Sequence, residues 1–134
     1  MIVVDAGVLV LALTSGTPQG DAARTALNGD DSWLAPAHMP GEVLRALHKA
    51  VLRGQLVPED AEAAAETATA LTIEYVLPDA LLLRTAWACR HNISIYDGLY
   101  VAVAAERSAS VITADTRLAD ATGQLGIPVA ITLL

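Results

Sequence analysis

The sequence predicts an α/β domain built on a mostly parallel sheet, and three observations predict it. Short runs of β-branched residues, such as Ile2-Val3-Val4 and Ser110-Val111-Ile112-Thr113, alternate with longer stretches of helical period. That alternation is the pattern of strand–helix–strand units. The chain has 134 residues, of which 54% are hydrophobic, enough for one real core and too apolar for disorder. Much of the apolar content is alanine, which favours helices. Phe is absent and aromatics make up only 4%, so Leu, Val, Ile and Ala must fill the core.

Each element can be justified in order. Ile2-Val3-Val4 reads as a buried strand ending at Asp5. Pro18 to Asn28 reads as a short helix closed by Gly29, and Ser32 to Ala35 as a second strand stopped by Pro36. Pro40 is tolerated in a first helical turn, so Glu42 to Arg53 follows as a helix ended by Gly54. Pro58 to Leu71 is a further helix, with Glu59 and Asp60 complementing the dipole of its first turn. Thr72 to Val76 is a strand, and Asp79 to Arg90 a helix with Asp79 as its N-cap. Asp97 opens an almost wholly apolar helix to Glu106, expected against the sheet. Ser110 to Thr113 and Pro128 to Leu133 complete the strands. There is no internal repeat, low-complexity segment or linker, and one domain over residues 1–134 is expected.

The amino terminus has no basic stretch and predicts no secretory signal. The run Ala6 to Leu13 is too short to span a bilayer. The single cysteine, Cys89, can make no internal disulfide and sits in apolar surroundings. It is expected as an inert buried thiol in a reducing cytoplasm. The net charge of −7 counts against a nucleic-acid partner unless cations offset it.

Four acids stand out. In open parallel sheets, sites form beyond the carboxyl ends of strands. Asp5 and Asp115 lie there, each just after a run of β-branched residues. Asp97 and Glu42 each open a helix that should aim at the same edge. Two carboxylates ~5 Å apart repel by ~3 kcal/mol at an effective dielectric near ~20, so such a cluster needs protons or divalent cations. Oxygen ligands alone select Mg²⁺ or Mn²⁺ over zinc. Each acid also has an ordinary structural reading: Asp97 as an N-cap, Glu42 as dipole complementation, Asp5 and Asp115 as strand-end turn residues. The combination is more specific than its parts.

In combination the chain resembles the PIN-domain ribonucleases, and among them the VapC toxins of toxin–antitoxin pairs. The resemblance rests on Ile2-Val3-Val4-Asp5-Ala6 and on the segment from Leu34 to Leu47, with Pro40-Gly41-Glu42-Val43 at its centre. It continues through Tyr96-Asp97-Gly98-Leu99-Tyr100-Val101-Ala102-Val103-Ala104 and Val111-Ile112-Thr113-Ala114-Asp115-Thr116-Arg117-Leu118. Order and spacing agree over essentially the whole chain. The resemblance implies a Rossmann-like α/β/α sandwich and a metal-dependent endoribonuclease that inhibits growth. It also implies a homodimer neutralised by a cognate VapB-like antitoxin. Carried over by residue, Asp5, Glu42, Asp97 and Asp115 are the catalytic acids that bind one or two Mg²⁺ or Mn²⁺ ions, with Thr113 a polar neighbour. The chain departs from the pattern at Gly7, where relatives often carry Ser, Thr or Asn, and at Thr116, where some carry an acid. The expected chemistry is in-line attack by water on a backbone phosphodiester, with the ions offsetting the chain's negative charge.

At about 3.6 residues per turn, Arg45, Lys49 and Arg53 share a helix face with Glu42. Val43, Leu44, Leu47, Ala50 and Val51 occupy the core-facing side. The cations form a stripe suited to an RNA backbone, or else an ordinary solvated face with a Glu42–Arg45 pair. Arg117 is a further phosphate candidate. Glu59, Glu62 and Glu66 make an acidic stripe on the next helix. His38, His48 and His91 show no metal-ligand spacing, while Trp33, Trp87 and the tyrosines read as core or interface rather than base-stacking platforms; Tyr96, beside Asp97, keeps stacking as its alternative to the core. Two rivals fail on residue grounds. A phosphoacceptor receiver needs a lysine after a late strand, but the sole lysine is the helical Lys49. A haloacid-dehalogenase-like phosphatase needs a second Asp where Gly7 stands. The remaining alternative is a PIN-like module that binds RNA or a protein without cutting, which Gly7 favours and the four acids oppose.

Overall fold

The structure, a computed structural model, describes residues 1–134. Strands β1 (Ile2–Val4), β2 (Trp33–Pro36), β3 (Glu74–Val76), β4 (Ser110–Thr113) and β5 (Ile131–Leu133) form one sheet in the order β3-β2-β1-β4-β5. Every pairing is parallel. Helices α1 (Ala6–Thr14), α2 (Pro18–Asn28), α3 (Met39–Leu52), α4 (Pro58–Ala70), α5 (Ala80–Ala88), α6 (Ile95–Arg107) and α7 (Thr116–Leu125) connect them. Parallel strands need crossovers, and right-handed crossovers put α1–α4 on one face and α5–α7 on the other. The packing agrees: α1 lies against α2, α3 and α4, while α6 lies against α5 and the three central strands. No helix is long and apolar enough to cross a membrane.

The chain leaves β1 for β2 and β3 on one side, then crosses to β4 and β5 on the other. The ends of β1 and β4 therefore flank the topological switch point, the place where open α/β sheets bind ligands. Ile2, Val3 and Val4 pair directly with Ser110, Val111 and Ile112, so the segments following the two strands emerge side by side.

One contiguous apolar cluster fills the space between the layers, with Val3, Val4, Val8, Leu34, Val101 and Val111 among its most buried members. Helix α6 is buried continuously from Gly98 to Ala104, as expected of a helix against a sheet. A Cβ at Gly98 would stand 3.1 Å from both the Cα and carbonyl oxygen of Ala86. Glycine is what lets α5 and α6 approach so closely. Cys89 is fully buried, and that burial pushes its thiol above the ordinary range, so the thiol is inert as expected.

The structure corrects several sequence expectations. Pro36 belongs to β2 rather than stopping it, because it pairs with Val76 beyond the last β1 partner. The donor that proline lacks is supplied one residue on, by Ala37 N–H to the Val76 carbonyl. Two helices went unassigned: α1, whose uninterrupted apolarity hides any 3.6-residue period, and α7, whose Gly123 breaks the pattern. Helix α3 starts at Met39, ahead of Glu42, and α6 at Ile95, ahead of Asp97. Leu44 is 52% exposed, not core. Trp87 and Tyr96 are likewise exposed, at 62% and 60%.

Candidate active site

Asp5 is the only residue between β1 and α1, and it caps the helix it starts. Its Oδ1 accepts the Gly7 N–H at 3.1 Å and its Oδ2 accepts the Thr113 hydroxyl at 2.6 Å. Thr113 ends β4 and is wholly buried. Its Oγ1 in turn accepts the Asp115 N–H at 3.0 Å. One hydroxyl therefore ties the loop after β4 to the carboxylate after β1. Burial raises the Asp5 carboxyl above its ordinary value against those two hydrogen bonds, and the charges of Asp97 and Glu42 raise it further.

Asp115 caps α7 as Asp5 caps α1. Its Oδ1 accepts from the Arg117 N–H at 2.9 Å and from Arg117 Nε at 3.1 Å, and its Oδ2 from Nη2 at 2.7 Å. The guanidinium holds this carboxyl below its usual range. Thus Arg117, expected as a free phosphate contact, is engaged with the acid beside it.

Asp97 stands in the first turn of α6, whose N-cap is Ser94. The Ser94 hydroxyl donates to Asp97 Oδ2 at 2.7 Å and accepts the Asp97 N–H at 3.1 Å. This is the N-cap half of a capping box; the acid at N3 meets the cap's hydroxyl rather than its backbone N–H. Glu42, in the first turn of α3, accepts the Tyr100 hydroxyl at Oε2 over 2.6 Å. His38 Nε2 lies 3.4 Å from the same oxygen, too poorly aligned to form a hydrogen bond, and is the one buried side-chain nitrogen left without one. Burial works to raise the Glu42 carboxyl, but His38, Tyr100 and Arg45 outweigh it and leave it below its ordinary value. Burial and Glu42 push the Tyr100 phenol far above its usual range, so it remains a donor.

Two open grooves meet at Asp97. One is lined by Glu42, Arg45, Ser94 and Tyr96, the other by Arg90, His91, Ser94, Asp115 and Arg117. Asp5 lies behind them, against Thr113. The structure thus gathers all four acids and Thr113 at one end of the sheet. Of the cationic stripe, Arg45 lines the first groove, while Lys49 and Arg53 lie exposed further along α3. The acidic stripe of Glu59, Glu62 and Glu66 is solvent-exposed on α4. Glu42 forms its close contacts with His38 and Tyr100, and no ion pair with Arg45.

The donors fit a hard divalent cation chemically: four carboxylates, no thiolate, and an acid that burial, with Asp97 and Glu42, makes costly to ionise. No three of these side chains stand close enough to grip one ion together. An ion here would have one or two of these carboxylates, with water or substrate oxygens completing its shell. Three supporting residues escaped sequence reasoning. The Ser94-x-x-Asp97 pattern could have revealed Ser94, and the helical spacing of His38 and Glu42 could have paired them. Nothing in the sequence links Tyr100 to Glu42, because the contact bridges α6 and α3.

Residues 2–124 match the family profile of the PIN domain. Ribonuclease VapC1 of Mycobacterium tuberculosis is 36% identical over 121 residues, covering 90% of each chain. Ribonuclease VapC12 of the same organism is 37% identical over 125 residues, covering 92% of this chain and 93% of that one. Among solved structures, the Mycobacterium tuberculosis VapC20 toxin superposes with a TM-score of 0.69 over 90% of this chain and 95% of its own, at 20% identity. FitAcB from Neisseria gonorrhoeae gives the same TM-score over 98% and 96%, at 17% identity. At such identities the structural likeness speaks to fold, and it agrees with the α/β/α arrangement.

Proposed function

The chain belongs to the PIN-domain family, among relatives that are VapC ribonucleases, and from that premise we propose that it is a metal-dependent endoribonuclease, the toxin of a toxin–antitoxin pair. The observation that carries the reading is the tie through Thr113, which joins Asp5 and Asp115 at the switch point with Asp97 and Glu42 alongside. A structural cap has no need of a half-buried carboxylate whose ionisation is disfavoured by burial and by two nearby acids.

Asp5, Glu42, Asp97 and Asp115 would hold Mg²⁺ or Mn²⁺, in one or two ions. The bound ion supplies charge stabilisation at the phosphodiester and a more acidic water. The protein's own part is orientation. Thr113 fixes Asp5, Tyr100 fixes Glu42, and Ser94 fixes Asp97, each through one hydroxyl. Fixed carboxylates cost no rearrangement as charge develops. Arg117 pairs with Asp115; with a cation held on that carboxylate, the guanidinium would be free to meet a phosphate. Arg45, Lys49 and Arg53 lie outside the acids and carry the RNA backbone toward them. Water forms the new bond to phosphorus while the P–O3′ bond breaks and the 3′ oxygen takes a proton, so the products carry a 5′ phosphate and a 3′ hydroxyl. A VapB-like antitoxin and a second copy of the chain are the expected protein partners.

Cleavage of a mixed RNA pool by the purified protein, with Mg²⁺, with Mn²⁺ and with chelator, tests this directly. Asp97→Asn should keep its fold and lose far more than the ~100-fold attached to a supporting residue. Equal cutting by the variant would sink the site assignment. No cutting by a folded, antitoxin-free wild type would leave a binding module.

A further inference from the structure

Tyr96 precedes Asp97 and was expected in the core, yet it is 60% exposed. It lines the groove that holds Glu42, Arg45 and Asp97. Its ring is also supported from beneath. The His38 ring lies 4.9 Å from it, tilted by 56°, and is itself set edge-on to Tyr100 at 5.4 Å and 84°. Tyr100 is buried and anchored to Glu42. An exposed aromatic surface is therefore held in place beside the acids by two further rings, with a guanidinium across the groove.

We propose that Tyr96 is a stacking platform for a nucleobase next to the cleaved phosphate. The proposal rests on the nuclease reading and adds a base-contacting residue to it. The chemistry points one way. A rigid, amphipathic ring offers contact area at little entropic cost, and every base presents a π-face to it. In an A-form duplex the bases are stacked on each other and their faces are unavailable. Loops, bulges and unpaired ends can turn a base out onto Tyr96 while Arg45 holds the adjoining phosphate.

The test compares binding of a short oligoadenylate with that of an abasic ribose-phosphate strand of equal length, by fluorescence anisotropy. Ca²⁺ replaces Mg²⁺ so that the acids are neutralised while hydrolysis is slow. Tyr96→Ala should weaken oligoadenylate binding about fivefold to a hundredfold, the range that base–aromatic stacking supplies. Its binding of the abasic strand should match wild type, and Tyr96→Phe should match wild type on both. Equal losses on the two strands, or none on either, with wild type still binding and cutting RNA, would overturn the stacking role alone. A wild type that binds neither strand overturns the nuclease reading, and this proposal with it.

Discussion

Asp5 and Asp115 cap the helices that leave two neighbouring strands, yet one is held by a buried hydroxyl and the other by an exposed guanidinium. The inner acid is raised by burial and by its fellow acids, with no cation to relieve it. The outer acid is lowered by a cation that solvent can replace at little cost. The two halves of the crevice therefore do different work. The inner half is built in advance and is electrostatically short of positive charge. The outer half is satisfied at rest and can exchange its partner. A cation entering the crevice would gain most at Asp5 and would have to compete at Asp115.

The sharpest way to break this contrast is to remove each supporting group in turn. Thr113→Val keeps the shape but strips the hydroxyl from both Asp5 and the Asp115 N–H. It should lower cleavage by ~10–100-fold, the usual cost of losing a supporting partner. Leaving a buried carboxylate and amide short of a partner should also cost about 1–3 kcal/mol of stability, read by urea unfolding. Thr113→Ser should restore most of both. Arg117→Ala, by contrast, should leave the unfolding midpoint in place, since that pair is exposed. Its effect belongs to RNA affinity, with the salt dependence of binding falling by about one phosphate contact. Comparable destabilisation by the two variants would erase the distinction between the halves.

The contrast also explains what was legible in the sequence. All four acids were readable because each stands where a strand run ends or a helical period begins, and position alone sets their direction. Thr113, two residues before Asp115, entered only through the family resemblance. What could not be read was what holds them. Tyr100 meets Glu42 across two helices separated by 58 positions, and no local pattern encodes such a contact. Arg117 looked like a free cation because spacing does not reveal that a side chain folds back on its neighbour. Tyr96 and Trp87 read as core or interface because aromatic character predicts burial on average, and their exposure on helix faces removes the core reading alone. Among the elements, α1 is hidden because apolar residues on every face remove the alternation by which an amphipathic helix is recognised.

A smaller effect follows from the sign of the Asp5 shift. A carboxyl whose folded value is raised favours folding in its neutral form. That stabilisation is fully present below the ordinary carboxylate range and is lost as pH rises through the raised value. Glu42 and Asp115, both lowered, behave oppositely and lose stabilisation as pH falls. Asp5→Asn removes only the first contribution. In chelator, the stability of wild type relative to Asp5→Asn should therefore improve as pH drops from about 7 toward about 4. A relative stability that worsens over that interval would show that Thr113 and Gly7 outweigh burial, and that Asp5 is not the frustrated acid.

The smallest expected effect concerns Gly7, whose amide holds Asp5 but whose missing side chain leaves a gap beside the carboxylate. A Cβ there would stand 3.8 and 3.9 Å from the two Asp5 oxygens, in ordinary contact and without displacing anything. Gly7→Ser should raise stability by up to about 0.5 kcal/mol through helix propensity. It should also raise cleavage a few-fold by placing a hydroxyl beside Asp5. Gly7→Ala separates the two contributions, because alanine brings a gain of up to about 1 kcal/mol in propensity and no hydroxyl. If Ser speeds cleavage and Ala does not, the inner half is under-supplied with hydrogen-bond donors as it stands. If the two behave alike, the Thr113 hydroxyl and the Gly7 amide already hold Asp5 as firmly as the chemistry requires, and the glycine costs the site nothing.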